Sequence, residues 1–190
     1  MSRPIVRLFV AINFPDDVRS ALHAAMEPLR AAAPEIRWVD APRVHLTLKF
    51  LGEHPEAAVS QVVEGLSRVG SRYDPIPLEL RGLNAFPNLR RPRVVWLGVT
   101  ADSRLELLHH DLEGACAALG YPLDGRAHRP HITLGRVPGR ALDPAGLASA
   151  ARGITYEAMV NAEALDLMVS EHVDRAPRYR VVGSAALRRE

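Results

Sequence analysis

The tetrad His-Leu-Thr-Leu at residues 45–48 returns as His-Ile-Thr-Leu at 131–134, 86 residues further on. Strict alternation of polar and apolar side chains marks an extended strand, in which residues two apart share a face. His45 and Thr47 are expected on one face, with Leu46, Leu48 and Phe50 on the other. His131 and Thr133 oppose Ile132 and Leu134 in the same manner. A chain that repeats this pattern needs a core for each apolar face and a use for each polar one.

The offset of 86 residues aligns more than the tetrads. RLFVAI at 7–12 falls on RVVWLG at 93–98, and Leu22, Met26 and Leu29 fall on Leu108, Leu112 and Ala115. Apolar periodicity predicts helices over 16–32, 56–69, 102–119 and 144–152. The second and third stop at Gly70 and Gly120, and the last starts with Asp143 as cap and Pro144 in its first turn. Further strands are expected at 76–83, at 155–169 with room for an interruption, and at 178–183. Each repeat, roughly 7–83 and 93–169, thus reads strand, helix, strand, helix, strand, and one more strand follows. The fold class expected is α+β: a bilobal pseudo-two-fold duplication, with two mostly antiparallel sheets facing a central cleft and helices on their outer faces. About such an axis the polar faces of the tetrads confront each other, so that two half-sites make one site. At 190 residues and 47% hydrophobic composition, the chain is expected to form a single two-lobed domain over 1–190.

The apolar run from Ile5 to Phe14 is interrupted by Arg7 and followed by Pro15-Asp16-Asp17, too short for a signal peptide or a membrane span. A cytoplasmic protein with no membrane partner is expected, as a monomer. Cys116 is the sole cysteine, which excludes an internal disulfide and a thiolate zinc site. The net charge of +2 does not announce a nucleic-acid coat protein. Local clusters say more. Arg90, Arg91 and Arg93 lie together, and Arg126, Arg129 and Arg136 surround the second tetrad; guanidinium groups of this kind suit phosphates.

Two facing imidazoles suit general acid and base work near neutral pH. Displacement at phosphorus sets the attacking and leaving oxygens in line, so base and acid approach from opposite sides. Thr47 and Thr133, on the same faces as the histidines, can donate hydrogen bonds to the non-bridging oxygens. The sequence holds no His-x-His, no His-Glu-x-x-His, no phosphate-binding Gly-x-x-x-x-Gly-Lys loop and no Gly-x-Ser-x-Gly elbow. His128 and His131 could be two metal ligands, but no third is indicated by spacing. Lys49 shares the polar face of His45 and is a weaker phosphate candidate. Strict alternation puts Arg136 on the core face with Ile132 and Leu134, unless Gly135 permits a bulge or bend. His23, His109 and His110 fall on helices, where surface placement is expected.

With the segments RLFVAINFP, NAFPNLRRPRVVWLGV and RPHITLGR, the paired tetrads resemble the RNA 2′,3′-cyclic phosphodiesterase family, also called 2′-5′ RNA ligase, of the two-histidine phosphoesterase superfamily. The resemblance covers nearly the whole chain. It implies a bilobal α+β fold with the active site in the cleft between lobes and no metal or nucleotide cofactor. It further implies hydrolysis of a terminal RNA 2′,3′-cyclic phosphate to a 2′-phosphomonoester, with weak reverse 2′-5′ ligation. His45 and His131 match the catalytic histidines, His131 activating water and His45 protonating the departing 3′ oxygen. Thr47, Thr133 and Arg136 match the phosphate-holding residues. Two alternatives stay open: a phosphodiesterase for a small cyclic nucleotide or ADP-ribose cyclic phosphate, and a module that binds phosphate or RNA ends without turnover.

Overall fold

Alternation and helical periodicity partition the chain much as its sequence suggests. A computed structural model describes residues 5–139, 143–173 and 176–189. The strands are β1 (Ile5–Asn13), β2 (Arg37–Trp38), β3 (His45–Pro55), β4 (Ile76–Phe86), β5 (Val94–Ala101), β6 (His131–Arg136), β7 (Glu157–Ala162), β8 (Ala164–Val173) and β9 (Ala176–Ala186). The helices are α1 (Asp16–Ala25), α2 (Glu27–Ala32), α3 (Val59–Gly70), α4 (Ser103–Ala118) and α5 (Pro144–Arg152). The single helix expected over 16–32 is two. Pro28, at the start of α2, has no N–H to continue the ladder and crowds the preceding turn, so the chain restarts at Glu27. The interruption allowed for within 155–169 falls at Glu163, between β7 and β8. Asp143 caps α5, its Oδ1 accepting from Ala145 N at 3.0 Å.

All strand pairs are antiparallel, in the order β7-β4-β5-β6-β3-β1-β8-β9, with β2 added on β6. The order is a palindrome under the repeat: β3 answers β6, β1 answers β5, and β8 answers β4. The two four-stranded halves meet at one residue pair, Leu46 with Ile132. The halves exchange their fourth elements. β4, from the first repeat, pairs with β5 and β7, whereas β8, from the second, pairs with β1 and β9.

One face of the sheet is apolar and carries the helices. Leu8, Val10, Ile12, Leu46, Leu48, Leu97 and Ile132 pack there with Leu22, Leu66, Leu108 and Leu147 in one buried cluster. Val62, Leu66 and Val69 of α3 and Leu105, Leu108 and Leu112 of α4, at helical spacing, supply the covering side. The other face carries both tetrads' polar residues and a small separate cluster of Phe9, Ala11 and Met168 with Tyr179 against it.

Two equivalent bulges break the alternation. In β3, Thr47 pairs with Ala11 and Lys49 with Val10, which leaves Leu48 as the extra residue. In β6, Thr133 pairs with Trp96 and Gly135 with Val95, which leaves Leu134 extra. After each bulge the side-chain parity is reversed. Phe50, expected in the core, is therefore 65% exposed, and Arg136 is turned off the core face. The bulge sits one residue before Gly135, whose own role is close approach: a Cβ there would lie 2.6 Å from Ile36 Cγ2 and 2.9 Å from Trp38 Cε3. Gly135→Ala is expected to lower the stability measured by urea unfolding by about 1–3 kcal/mol through this overlap. Gly114→Ala, on the exposed side of α4 where a Cβ meets nothing, should instead gain about 0.5–1 kcal/mol; equal effects at the two sites would contradict the packing described.

Candidate active site

The histidines begin β3 and β6, each two residues after an arginine whose carbonyl they use. The Nδ1–H of His45 donates to Arg43 O at 2.7 Å, and the Nδ1–H of His131 donates to Arg129 O at 2.7 Å. A carbonyl can only accept, so both rings carry their proton on Nδ1 when neutral, and Nε2 of each is the free basic atom. Nε2 of His45 lies 3.1 Å from Thr47 Oγ1. The same backbone device thus orients the imidazole in both halves.

The two rings line one cavity of about 1270 Å³, which also takes in Thr47, Thr133 and Arg136. All five residues singled out in the sequence therefore come together. Arg126 and Arg129 line the cavity too, whereas Arg90, Arg91 and Arg93 do not. Arg7, Arg126, Arg129 and Arg136 have no acidic partner among the described residues, in contrast to Arg43, which pairs with Asp40 at 2.7 Å. Among the described residues no group of three His, Cys, Asp or Glu side chains is placed to hold a metal ion. No helix there is long and apolar enough to cross a membrane.

The surroundings of the two histidines differ. His45 sits between Phe9, with ring centroids 5.2 Å apart, and Tyr179, which meets it edge-on at 5.4 Å. Burial there lowers its pKa below 6.5, against a smaller upward pull from the Arg43 carbonyl. His131 meets Phe86 edge-on at 5.1 Å. Phe50 lies at the cavity wall beside Phe9, at 6.0 Å, in the position that Arg136 occupies in the other half.

Lys49 is not a free phosphate ligand. The chain's only lysine is 1% exposed, and its ammonium donates to Glu113 Oε1 at 2.7 Å and to Pro122 O at 2.9 Å. His109, expected at the surface of its helix, instead reaches Leu48 O at 3.2 Å. It stacks on His128 with centroids 4.1 Å apart and planes 4° from parallel. His128 in turn reaches Thr47 O at 3.4 Å. Burial, with His109 adding to it, pushes the His128 pKa down to about 4. Tyr179, His109 and Phe50 carry no motif of their own; the pairing of β9 with β8, the contact of α4 with β3 and the bulge at Leu48 bring them here.

Residues 15–174 match the 2′-5′ RNA ligase superfamily. An RNA 2′,3′-cyclic phosphodiesterase of Archaeoglobus fulgidus is 33% identical over 132 residues, 70% of this chain and 73% of that protein. One of Geobacillus stearothermophilus is 32% identical over 128 residues, 67% of this chain but 41% of that protein, so the match spans less than half of that relative's length. In three dimensions the chain is similar to TT0787 of Thermus thermophilus, with a TM-score of 0.79 and 30% identity over 97% of this chain and 99% of that one. It is similar also to E. coli LigT complexed with 3′-AMP, with a TM-score of 0.74 and 29% identity over 97% and 99%. With its matched span, its paired tetrads and its curled antiparallel sheet, the chain belongs to the 2′-5′ RNA ligase superfamily.

Proposed function

We propose that this protein hydrolyses the 2′,3′-cyclic phosphate at the end of an RNA strand to a 2′-phosphomonoester, with His45 and His131 as its general acid and base and no metal in the step. The observation that carries this reading is the pair of imidazoles held alike on Arg43 and Arg129 carbonyls and lining one arginine-rich cavity. The curated relatives named for this activity support it.

In the step envisaged, water attacks phosphorus in line with the bond to O3′. Nε2 of His131 takes the water proton as the new P–O bond forms. The P–O3′ bond breaks, its electron pair passes to O3′, and Nε2–H of His45 protonates that oxygen. The hydroxyls of Thr47 and Thr133 and the guanidinium of Arg136 hold the non-bridging oxygens, where charge accumulates. Burial favours the neutral form of His45 in the free protein. A phosphodiester anion set beside it favours the imidazolium, so His45 takes up its proton from solvent as substrate binds. Replacing water by a 5′-hydroxyl gives the reverse ligation through a 2′-5′ bond.

RNA suits this cavity better than a mononucleotide cyclic phosphate. Its volume exceeds that of ordinary small-molecule pockets, which are about 300–1,000 Å³, and Arg7, Arg126 and Arg129 offer cationic contacts beyond those needed for one phosphate. Phe50 presents an open aromatic face on which a base can stack.

An RNA oligomer ending in a 2′,3′-cyclic phosphate, incubated in chelator with catalytic amounts of protein, should be turned over to a 2′-phosphate end. A 3′-phosphate product would overturn the proposal, as would binding without turnover. His45→Ala and His131→Ala should each lose at least about a hundredfold in kcat. A substrate carrying sulfur at the departing 3′ position needs no acid, and it should restore His45→Ala but not His131→Ala; the reverse pattern would exchange the two roles.

The pH profile supplies a separate check. Because burial penalises the charged ring, the lower limb of kcat/KM should fall below pH 6.5. Tyr179→Ala opens that wall to water and should move the limb upward, toward 6.5. A wild-type limb at or above 6.5, unmoved by the substitution, would show that burial does not set it.

A further inference from the structure

The segments that lead into the two histidines cross over to the opposite half of the sheet, and they are fastened there by different means. Ahead of His45, residues 37–38 form β2 and pair with Arg136 and Gly135 of β6, while Val39 N donates to Leu134 O at 2.8 Å. This crossing is a backbone ladder, made possible by the missing side chain at Gly135. The residues 86 places later, 123–124, form no strand. They lie near β3 at Lys49, the position that answers Gly135, and side chains replace the ladder. Lys49 Nζ donates to Pro122 O at 2.9 Å and to Glu113 Oε1 at 2.7 Å, and Glu113 Oε2 accepts from Asp124 N at 2.9 Å. The carbonyl of Leu48, the counterpart of Leu134, is taken by His109 rather than by a backbone N–H.

From this correspondence we infer that Lys49 and Glu113 are positioning residues for the second half-site. Held by α4 and β3, they fix the crossing segment 122–130, which delivers the Arg129 carbonyl to His131 and sets Arg126 and Arg129 along the cavity wall. The inference rests on the role given above to His131, and it adds that a residue four places after His45 governs the orientation of the other histidine.

Several features favour a positioning role over a purely stabilising one. A buried ion pair rarely stabilises a fold more than apolar side chains of similar volume would, yet here both charges are spent on backbone groups of one segment. Burial alone would raise the Glu113 carboxyl, but the Lys49 ammonium and the Asp124 N–H hold it below its ordinary range, so the carboxylate is kept as an acceptor for both. The rest of the crossing segment has few other ties: His128 to Thr47 O, and Val99 N donating to Pro130 O at 3.3 Å.

The test is the double variant Lys49→Met, Glu113→Leu in the full chain, which removes both charges together and leaves neither buried alone. It should fold, with an unfolding transition close to that of the wild type. Its kcat on cyclic-phosphate RNA should fall tenfold to a hundredfold, the scale set by small misplacements of a reacting group. Nitrogen-15 NMR of the imidazole rings, which needs no substrate, should show His131 passing from one Nδ1–H tautomer to a mixture while His45 keeps its own. An unchanged kcat with an unchanged His131 ring would overturn the inference, as would equal loss of order at both histidines. Should the double variant fail to fold, Glu113→Gln keeps the volume and removes the charge and one acceptor; it must show the same selective effect on His131, and its absence is again a refutation. The wild-type turnover experiment described above separately decides whether His131 acts in the reaction at all.

Discussion

Leu46 and Ile132 face each other across the one residue pair that joins β3 to β6, and both are wholly buried on the helix-covered side of the sheet. Because a strand turns successive residues to opposite faces, fixing these two inward obliges His45, Thr47, His131 and Thr133 to face the open side around a common point. The site is thus a by-product of core packing at the seam. Helices α1 to α5 need only cover the apolar face, and their leucines do so in a single cluster.

Duplication makes the seam symmetric, but the two sides are not chemically alike. Phe50 stands where Arg136 does, Lys49 where Gly135 does, and His45 is enclosed by aromatic rings. The consequence is a local asymmetry: a phenyl ring stands in one half where a guanidinium stands in the other, although Phe86 and Trp96 flank His131 much as Phe9 and Tyr179 flank His45. A symmetric site would bind an in-line substrate equally well in either direction. This one is not symmetric, so its two ends are chemically distinct.

Much of this was legible in the letters because the repeat aligns without a gap over strands and helices. The tetrads, the caps at Asp143 and the helix stops at Gly70 and Gly120 are local signals with local causes. What alternation misjudged lies just past the tetrads. A bulge at Leu48 and another at Leu134 invert the faces of the residues directly after them, so Phe50 emerges, Lys49 is enclosed and Arg136 lines the cleft. Nothing at Leu48 or Leu134 marks them as bulge residues, since each is an ordinary leucine whose carbonyl is claimed by a partner distant in sequence, His109 in one case and Val39 in the other. Pairing by exchange was equally hidden. Periodicity says that β4 and β8 are strands, but not that each joins the sheet begun by the other repeat.

That exchange has a consequence for synthesis. The partner of Arg7 in β1 is Ser170 in β8, so the first strand leaves the ribosome with one hydrogen-bonding edge open and keeps it open until almost the whole chain has emerged. Neither repeat can close its sheet from its own letters. The nascent protein must carry that open edge at least until Ser170 has been made, a delay set by topology rather than by sequence composition.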